Sequence, residues 1–335
     1  MRILIVGAGF AGAVYARELA ESGNEVVVID QRDHIAGNAF DFENEHGIRV
    51  HKYGPHLFHT NNERVVDWMS QFTSWTPYKH KVKAKHTDGQ FYVLPPNRDT
   101  VERIGKENIV DTFFRPYTKK MWNAEIEDLN PKILERVPVR DDDNELYFPN
   151  DAIQQMPTDG YTSMFEQIFD HKNIVVRLST KFDKSMEADF DHIFNSMPID
   201  EYFDFKHGEL PYRSIKFETI TLPENKMYDS ATTNFTTYDG PTRVTEWKNI
   251  PDHGETSSHT TLTYEYPCDY RENNMERYYP VKDMAGVNAE IFEKYKNEKH
   301  PKMTFIGRCG TYQYLDMHQV VNQSLAGVKK FIEKN

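Results

Sequence analysis

The first 30 residues limit the possible fold more than any other part of the chain. An apolar, β-branched run at residues 3–6 has the character of a buried parallel strand. Three glycines with G-x-G-x-x-G spacing follow it: Gly7, Gly9 and Gly12. A helix is predicted from about Phe10 to Glu21, and a second β-branched run at residues 25–29 ends at Asp30. This order of elements is that of a complete βαβ unit of about 30 residues.

Each part of this unit has a physical task. Gly7 permits a tight turn, Gly9 lets backbone N–H groups approach a pyrophosphate, and Gly12 lets the helix pack close to the sheet. The helix N-terminus offers free donors and partial positive charge, and Asp30 can accept a hydrogen bond from a ribose hydroxyl. The unit therefore predicts a dinucleotide site without distinguishing NAD from FAD. The alternative is a tight turn in which the glycines serve packing alone.

Composition excludes several classes of protein. The chain has 335 residues, which predicts two or more domains, and its net charge of −12 argues against a nucleic-acid partner. Only two cysteines occur, Cys268 and Cys309, without a C-x-x-C motif, which indicates a reducing compartment and a cytoplasmic location. The N-terminus enters a strand at once, so we expect no signal peptide, and no apolar run is long enough to span a membrane.

Further along the chain, strands and helices alternate in a way that favours a sheet assembled from separate segments. Strands are predicted at residues 174–178 and 192–195 and again just before a C-terminal helix that begins near Asp316. Residues 62–75 and 100–123 are predicted to be helical. The segments 213–222, 232–247 and 260–267 predict an antiparallel sheet with one solvated face.

The expected fold class is therefore α/β, with a Rossmann-like FAD-binding domain, an inserted helical domain and an antiparallel β-sheet domain. The FAD-binding domain is expected to comprise residues 1–75, about 172–205 and about 300–335. The helical substrate domain is expected at about 97–170, and the antiparallel sheet substrate domain at about 76–96 and 206–299. The preference for FAD over NAD rests at this point on analogy with other folds of this plan.

The segment HKYGPHLFHT, residues 51–60, carries three histidines. His51, His56 and His59 suggest a metal site, but no cysteine or carboxylate stands at ligand spacing, which argues against one. Gly54 and Pro55 predict a turn that brings the backbone near His56 against a flat cofactor ring.

With these segments in order, the chain resembles the UDP-galactopyranose mutase family, flavoenzymes that interconvert UDP-galactopyranose and UDP-galactofuranose. The resemblance covers nearly the whole chain. The motifs that carry it are GAGFAGAVYA (7–16), HIAGNAF (34–40), HKYGPHLFHT (51–60), PYTKKMW (116–122), RVPVR (136–140), PYRSIKFET (211–219), NFT with TRV (234–244), YYPV (278–281) and GRCGTYQYLDMHQV (307–320).

The resemblance implies FAD, active when reduced, as the cofactor. The residues that it implies for cofactor binding are Gly7, Gly9, Phe10, Ala11, Gly12, Asp30, Gln31, Arg32, Gly37, Asn38, His56, Leu57, Arg308, Asp316 and Met317.

The resemblance also implies two essential arginines, Arg140 on a mobile loop and Arg243 in the sheet, that grip the substrate diphosphate, with His56 as a third catalytic residue. Phe113 and Tyr117 are expected to hold the uracil. The full set implied for substrate binding is His80, Phe113, Tyr117, Trp122, Arg140, Arg213, Asn234, Arg243, Tyr278, Tyr279 and Tyr314.

The implied reaction is an isomerisation with no net redox. N5 of the reduced flavin attacks the anomeric carbon as UDP leaves, the sugar opens on the flavin, and the ring recloses through another oxygen. A UDP-sugar substrate and NAD(P)H or another reductant are the implied partners. Two alternatives stay open: a redox flavoenzyme of the amine-oxidase or desaturase type, and an inactive protein that binds nucleotide sugars.

The residues themselves allow simpler interpretations. Arg140 directly precedes three aspartates and could form surface ion pairs with them. Arg243 could be a solvated strand residue. Tyr117 and Trp122 could belong to the core, and Asp316 could be a helix cap.

Some positions depart from the family pattern. Between Pro96 and Phe113 the chain is shorter than typical bacterial members, whose extra helices help to form a dimer, so the usual dimer is in doubt. Ile153 stands near the place of a usual tyrosine, and Ala36 replaces a usual glycine. These changes leave room for a different nucleotide sugar, such as an N-acetylated or deoxy hexose.

Overall fold

The computed structural model describes residues 1–128, 139–281, 286–298 and 300–335. The helices are α1 (Phe10–Glu21), α2 (Glu63–Met69), α3 (Arg98–Ile104), α4 (Arg115–Trp122), α5 (Gly160–Phe169), α6 (Ile199–Tyr202), α7 (Val287–Lys296), α8 (Gly307–Gly310) and α9 (Met317–Lys334). The strands are β1 (Arg2–Val6), β2 (Glu25–Ile29), β3 (Asp41–Glu43), β4 (Arg49–His51), β5 (Phe58–Thr60), β6 (Trp75–Pro77), β7 (Val82–Lys85), β8 (Phe91–Leu94), β9 (Ile153–Pro157), β10 (Ile174–Arg177), β11 (His192–Asn195), β12 (Tyr212–Leu222), β13 (Thr232–Phe235), β14 (Arg243–Glu246), β15 (Thr260–Asp269), β16 (Tyr279–Pro280) and β17 (Met303–Phe305).

A five-stranded parallel sheet in the order β10-β2-β1-β11-β17 forms the first layer of the described structure. Its strands come from the start, the middle and the C-terminal part of the chain. β1 lies at the centre, with Ile3 opposite Val26 on β2 and opposite His192 on β11. Continuous apolar residues suit these strands because helices cover the sheet, and Ile3 and Ile5 are fully buried.

The helices α1 and α9 pack on each other and on one face of this sheet. α9 turns a stripe of apolar residues at helical spacing toward α1, and Val321, Leu325 and Val328 on this stripe are buried. The predicted bounds of α1 agree with the structure, and the α/β fold class is confirmed.

A second, seven-stranded sheet has the order β16-β12-β15-β14-β13-β7-β8. The antiparallel prediction holds for β12, β14 and β15, which pair antiparallel. It is wrong for one pair, since β13 runs parallel to β7. The reason is connectivity, because β7 is not joined to β13 by a hairpin but comes from a segment about 150 residues earlier in the chain.

The single helix predicted at residues 100–123 is also wrong. α3 ends at Ile104, because the next residue, Gly105, has a φ of +85° that takes the backbone out of the helical region. A 3-10 turn at Lys106–Asn108 and a π-helical turn at Val110–Phe114 follow, and α4 begins at Arg115. Pro116 lies in the first turn of α4, where a missing N–H group is tolerated, whereas inside a continuous helix it would break the hydrogen-bond ladder.

The helix predicted at residues 62–75 is shorter than expected. Asn62 caps α2 by accepting a hydrogen bond from the N–H of Val65, and the helix ends at Met69. The next residues turn toward β6, which pairs with β9 in a three-stranded sheet of order β5-β9-β6. Its strand β5 carries His59, whereas His51 ends β4, which pairs with β3 in a separate two-stranded sheet.

The boundaries drawn for the three domains stay predictions, although the strands of the parallel sheet fall within the ranges expected for the FAD-binding domain. Part of the expected helical domain, residues 129–138, lies outside the described residues, and so does the start of the motif RVPVR. Within the described ranges, no helix combines the length and the apolar character needed to cross a membrane.

Candidate functional site

A cavity of about 590 Å³ opens at the carboxyl ends of the parallel strands, where the seven-stranded sheet faces them. Gly7, Asp30 and Ser196 line it directly after β1, β2 and β11. Ligands of open α/β sheets bind at this edge. The opposite wall consists of β7, β13 and β14, and the N-terminus of α9 closes one side.

Two of the three glycines of the first turn, Gly7 and Gly12, leave no room for side chains. A Cβ atom on Gly12 would lie 1.9 Å from the carbonyl oxygen of Gly7, and one on Gly7, whose φ is +103°, would lie 2.0 Å from Ser196 Oγ. A Cβ on Gly37 would lie 2.9 Å from Gly9 Cα, because the two glycine segments approach each other closely. The segment before Gly37 is strained, since Ala36 has a φ of +68°, a region that favours glycine.

The start of α1 suits an anionic group. Gly9 is the N-cap residue and no side chain caps the helix, so the first backbone N–H groups are available to a ligand. These donors and the helix dipole together make a phosphate site. The glycine turn, with no side chain over its N–H groups, fits the pyrophosphate of a dinucleotide.

The Asp30 carboxylate is held in place from both sides. Oδ2 accepts the N–H of Ala8 at 2.8 Å and Oδ1 accepts the N–H of Arg32 at 2.9 Å. Each carboxylate oxygen keeps a second lone pair for a ligand hydroxyl. The Arg32 guanidinium donates to Asn38 Oδ1 at 3.0 Å and to Glu276 Oε2 at 2.7 Å, so it braces this end of the cavity.

His56 lies where the histidine segment meets the cavity. Its Nδ1–H donates to the carbonyl oxygen of Gly54 at 2.9 Å, which leaves Nε2 as an acceptor. Burial lowers the pKa of His56 to about 4. The hydrogen bond to Gly54 raises this pKa, whereas the charges of Arg308 and Arg243 lower it further. His56 is therefore neutral near pH 7 and can accept a hydrogen bond, but it is a poor proton donor.

Arg243 on β14 forms an ion pair with Glu265 on β15, with 2.9 Å between Nε and Oε1. Burial disfavours the charge, but the Glu265 carboxylate raises the pKa of Arg243 well above its ordinary value. Because Glu265 occupies the Nε side, the outer nitrogens of the guanidinium remain for a ligand.

Asn234 on β13 stands directly opposite Arg243 in the strand register. Its Oδ1 is buried and finds no hydrogen-bond partner among the described residues, and the same is true of Thr232 Oγ1 on the same strand. A buried, unpaired polar group costs about 1–3 kcal/mol. A ligand that donates to these oxygens would remove that cost.

Three tyrosines surround the guanidinium of Arg308. The distances from its central carbon to the ring centroids are 5.7 Å for Tyr278, 4.9 Å for Tyr279 and 5.3 Å for Tyr314. No carboxylate in the described part of the chain pairs with Arg308. Burial raises the pKa of Tyr279 and Tyr314, so their hydroxyls stay protonated and can donate to an anion.

The N-terminus of α9 faces the cavity through Asp316 and Met317. Asp316 is the N-cap of this 18-residue helix and forms a capping box with Gln319. The cap interpretation of Asp316 is thus confirmed, and the same residue lines the cavity. The helix dipole adds partial positive charge at this point.

The structure thus brings all of the expected cofactor residues and seven of the expected substrate residues to one cavity. The cofactor set at its walls comprises Gly7, Gly9, Phe10, Ala11, Gly12, Asp30, Gln31, Arg32, Gly37, Asn38, His56, Leu57, Arg308, Asp316 and Met317. The substrate set comprises His80, Tyr117, Asn234, Arg243, Tyr278, Tyr279 and Tyr314. Their roles remain predictions.

Two expected arginines lie outside the cavity walls. Arg140 donates to the carbonyl oxygens of Leu146, Pro95 and Asn144, and its side chain is 11% exposed. Arg213 donates to the carbonyl oxygens of Met121 and Lys120 at the end of α4. In this structure both guanidinium groups satisfy backbone carbonyls instead of a ligand.

Phe113 and Trp122 are also outside the walls. Phe113 is buried in an apolar cluster with Tyr92 and Ile109. The ring centroid of Trp122 lies 6.3 Å from that of Tyr279, so Trp122 neighbours a residue that lines the cavity without lining it itself.

Sequence reasoning missed a second aromatic and polar group at the wall. Tyr147 and Phe148 line the cavity, and the ring of His59 stacks on Phe148 with centroids 3.6 Å apart. His59 Nδ1 donates to Asp151 Oδ2 at 2.6 Å. His59 had suggested only a metal, and in the described ranges no group of three or more histidine, cysteine or carboxylate side chains could hold one.

Other missed residues follow the strand ends, namely Thr180, Lys181 and Phe182 after β10 and Ser196, Met197 and Pro198 after β11. The rule that ligands bind at the carboxyl ends of parallel strands was the signal that could have found them.

Comparison with known proteins agrees with this geometry. The family model described as UDP-galactopyranose mutase matches residues 112–314, and that of an NAD(P)-binding Rossmann-like domain matches residues 5–72. The chain is 36% identical to a probable UDP-galactopyranose mutase of Klebsiella pneumoniae over 98% of this chain and 94% of that protein. It is 32% identical to dTDP-fucopyranose mutase of Escherichia coli over 100% of this chain and 99% of that protein.

A solved structure of reduced UDP-galactopyranose mutase superimposes with a TM-score of 0.75 at 17% identity, covering 100% of this chain and 94% of that one. The alignment to the Klebsiella protein runs over 370 positions, more than the 335 residues of this chain. The alignment must therefore contain gaps on the side of this chain, as expected for a chain that is shorter than its relative.

Proposed function

Since the chain belongs to the UDP-galactopyranose mutase family, we propose that it interconverts UDP-galactopyranose and UDP-galactofuranose, or a close nucleotide-hexose analogue, in a flavin-dependent isomerisation. The observation that carries the proposal is the single cavity that joins a glycine cradle for a dinucleotide to a wall with Arg243, Arg308 and protonated tyrosines. The first part suits the cofactor and the second suits the diphosphate of a nucleotide sugar.

We propose FAD as the cofactor. The turn at Gly7, Gly9 and Gly12 with the start of α1 would hold the pyrophosphate, and Asp30 would accept a ribose hydroxyl. The segment at His56 and the start of α9 would flank the ring. Bound FAD, once reduced by NAD(P)H or another reductant, supplies a nucleophile for the anomeric carbon without net oxidation.

The task of the protein is to stabilise the nucleotide as it departs and returns. Arg243 and Arg308 would donate charge-assisted hydrogen bonds to the diphosphate, and the hydroxyls of Tyr279 and Tyr314 would add neutral ones. Donors that are already fixed in a water-poor site stabilise developing charge more than mobile water does. Glu265 fixes the guanidinium of Arg243 for this purpose.

His56 would act as a hydrogen-bond acceptor for a sugar hydroxyl, since it is neutral and its Nε2 is free. Asn234 Oδ1 would accept a second hydroxyl. Arg140 stays the proposed second diphosphate arginine, but it must first release the three backbone carbonyls that it now binds.

The redox alternative has less support, because the relatives at 36% and 32% identity are, by their names, mutases. The Escherichia coli relative acts, by its name, on a dTDP sugar, so the nucleotide and the sugar both need to be tested. The two-cysteine composition leads us to propose a cytoplasmic location.

The decisive experiment is a panel of UDP-, dTDP- and GDP-hexoses given to the purified protein with and without dithionite, with the products resolved by chromatography. We expect a pyranose–furanose conversion that requires reduced flavin. Lack of turnover of every sugar by flavin-loaded, reduced protein would refute the proposal. Flavin reduction by the sugar with consumption of oxygen would instead identify an oxidase.

A further inference from the structure

A buried pair of histidines lies directly behind the cavity wall at His56. His51 is 0% exposed and His253 is 1% exposed, and their Nε2 atoms are 3.0 Å apart. His51 ends β4 and His253 lies in the connection between β14 and β15, so the pair joins two distant parts of the chain. On the other side of the His51 ring, Nδ1 is 3.1 Å from the backbone nitrogen of His56.

The partners determine where each proton is. The backbone N–H of His56 can only donate, so His51 Nδ1 must accept and the proton of this ring is on Nε2. The carbonyl oxygen of Pro251 can only accept, so His253 carries its proton on Nδ1, 2.7 Å away. His51 Nε2–H therefore donates to His253 Nε2. No other assignment satisfies all three contacts.

This order holds only while both rings are neutral. A proton added to His51 Nδ1 would face the N–H of His56, and one added to His253 Nε2 would face the N–H of His51. The Asp41 carboxylate does not rescue a cation, because its Oδ2 is 4.0 Å from His51 Nε2 and already accepts the N–H of Tyr161.

The surroundings agree with neutral rings. Burial lowers the pKa of His51 well below its usual value, with His253, His56 and Arg49 adding to the effect. Burial also lowers the pKa of His253 to about 4, and the charge of Arg49 acts in the same direction. The hydrogen bond to Pro251 and the charges of Glu255 and Asp252 raise this pKa. The ring of Trp247 lies 4.8 Å from that of His51 and excludes water.

We propose that His51 and His253 are positioning residues of the flavin site. The two rings hold the amide of His56 from behind, and with it the part of the wall formed by Pro55, His56 and Leu57. His56 Nδ1 is engaged by Gly54, so its Nε2 is the acceptor left for the ligand. The proposal rests on the proposed function of the cavity as a flavin and nucleotide-sugar site.

The test compares two substitutions of one ring. His253→Gln keeps a side-chain oxygen that can accept from His51, whereas His253→Leu fills similar space and leaves the His51 N–H without a partner. Three properties are measured on the FAD-loaded protein: the tautomer of His51 by ¹⁵N NMR with labelled histidine, the absorption spectrum and midpoint potential of the flavin, and kcat and KM of the reduced enzyme.

We expect the glutamine variant to keep the wild-type tautomer, flavin spectrum and kcat. The leucine variant should lose the single tautomer, shift the flavin spectrum and lower kcat about tenfold with little change in KM, as expected for the loss of one hydrogen bond that aligns the site. Should the leucine variant fail to fold, His253→Ala with and without added imidazole replaces it, and recovery of kcat with imidazole is the expected result.

Equal kcat values and flavin spectra in the glutamine and leucine variants would overturn the inference, and so would a His51 ring protonated on Nδ1 in the wild type. Failure of the proposed function looks different. The wild-type protein would then show the expected tautomer but no turnover of any nucleotide sugar.

Discussion

The two glycines at the start of α1 should respond differently to the same small change. In Gly9→Ala, the new Cβ lies 3.6 Å from Gly37 Cα, an ordinary contact, and the φ of −86° suits alanine. The folded protein therefore tolerates the methyl group. The methyl group would lie beside the free N–H groups at the start of α1, where the cofactor phosphates are proposed to bind.

The magnitude follows from these contacts. Because the fold is not strained, the free energy of unfolding of the apoprotein should change by less than about 0.5 kcal/mol. Placing one methyl group in a tight ligand contact costs about 1–3 kcal/mol, which weakens FAD binding about 5- to 150-fold. In Gly12→Ala, by contrast, the Cβ would lie 1.9 Å from the Gly7 carbonyl oxygen, so unfolding itself should become easier by about 1–3 kcal/mol.

The assay is a titration of apoprotein with FAD, followed by quenching of flavin fluorescence, beside urea unfolding of each apoprotein. Gly23→Ala is the control for FAD binding, because Gly23 lies at the other end of α1, outside the cavity walls, and nothing lies within 4 Å of its Cβ position. Its φ of +87° disfavours alanine, so this variant should lose stability and keep the wild-type Kd for FAD. An unchanged Kd for FAD in Gly9→Ala would refute the placement of the phosphates at this turn.

Further predictions concern the substrate wall and the core. Arg243→Lys keeps a cation beside Glu265 but loses the planar fork, so kcat/KM should fall about ten- to hundred-fold while FAD remains bound, and unchanged turnover would remove Arg243 from the site. Phe113→Leu should lower the free energy of unfolding by about 1 kcal/mol without changing KM, since Phe113 packs in the core, and a raised KM with unchanged stability would restore it as a uracil contact. The free energy of unfolding should fall as pH drops from 6.5 toward about 4. In the folded protein, the pKa values of buried His80 and His253 are about 3 and about 4, so these two rings stay neutral in this pH range, whereas in the unfolded chain they bind protons. The slope should be up to about 1.4 kcal/mol per pH unit for each histidine, and urea unfolding at pH 7 and pH 5 should show a smaller difference for His80→Gln.

The proposed cofactor half of the site could be predicted from the sequence because it depends on local spacing. The glycine turn, α1 and Asp30 lie within one βαβ unit, and their geometry follows from backbone rules that hold wherever this unit occurs. Asp316 was predictable for the same reason, since it is the capping residue of a strongly amphipathic helix.

The substrate half was harder because it depends on which strands pair and on the phase of a helix. Arg213 and Arg243 both occur in alternating strands, yet only Arg243 stands beside Asn234 at the cavity, whereas Arg213 faces the end of α4. Phe113 and Tyr117 would share one face of a regular helix. The π-helical turn at Val110–Phe114 changes the phase between them, so Tyr117 reaches the cavity and Phe113 does not.

The parallel sheet is assembled from strands that leave the ribosome at very different times. β17 pairs with β11 and is followed by α9, whose start closes the cavity. During synthesis, β11 would remain an edge strand, and the cofactor would lack one side of its site until the last tens of residues emerged. Such late, long-range pairing slows folding. A chain should therefore retain the cofactor only when β17 and α9 have been translated. A product terminated before β17 should therefore be colourless and prone to aggregation, even though its entire glycine turn is present.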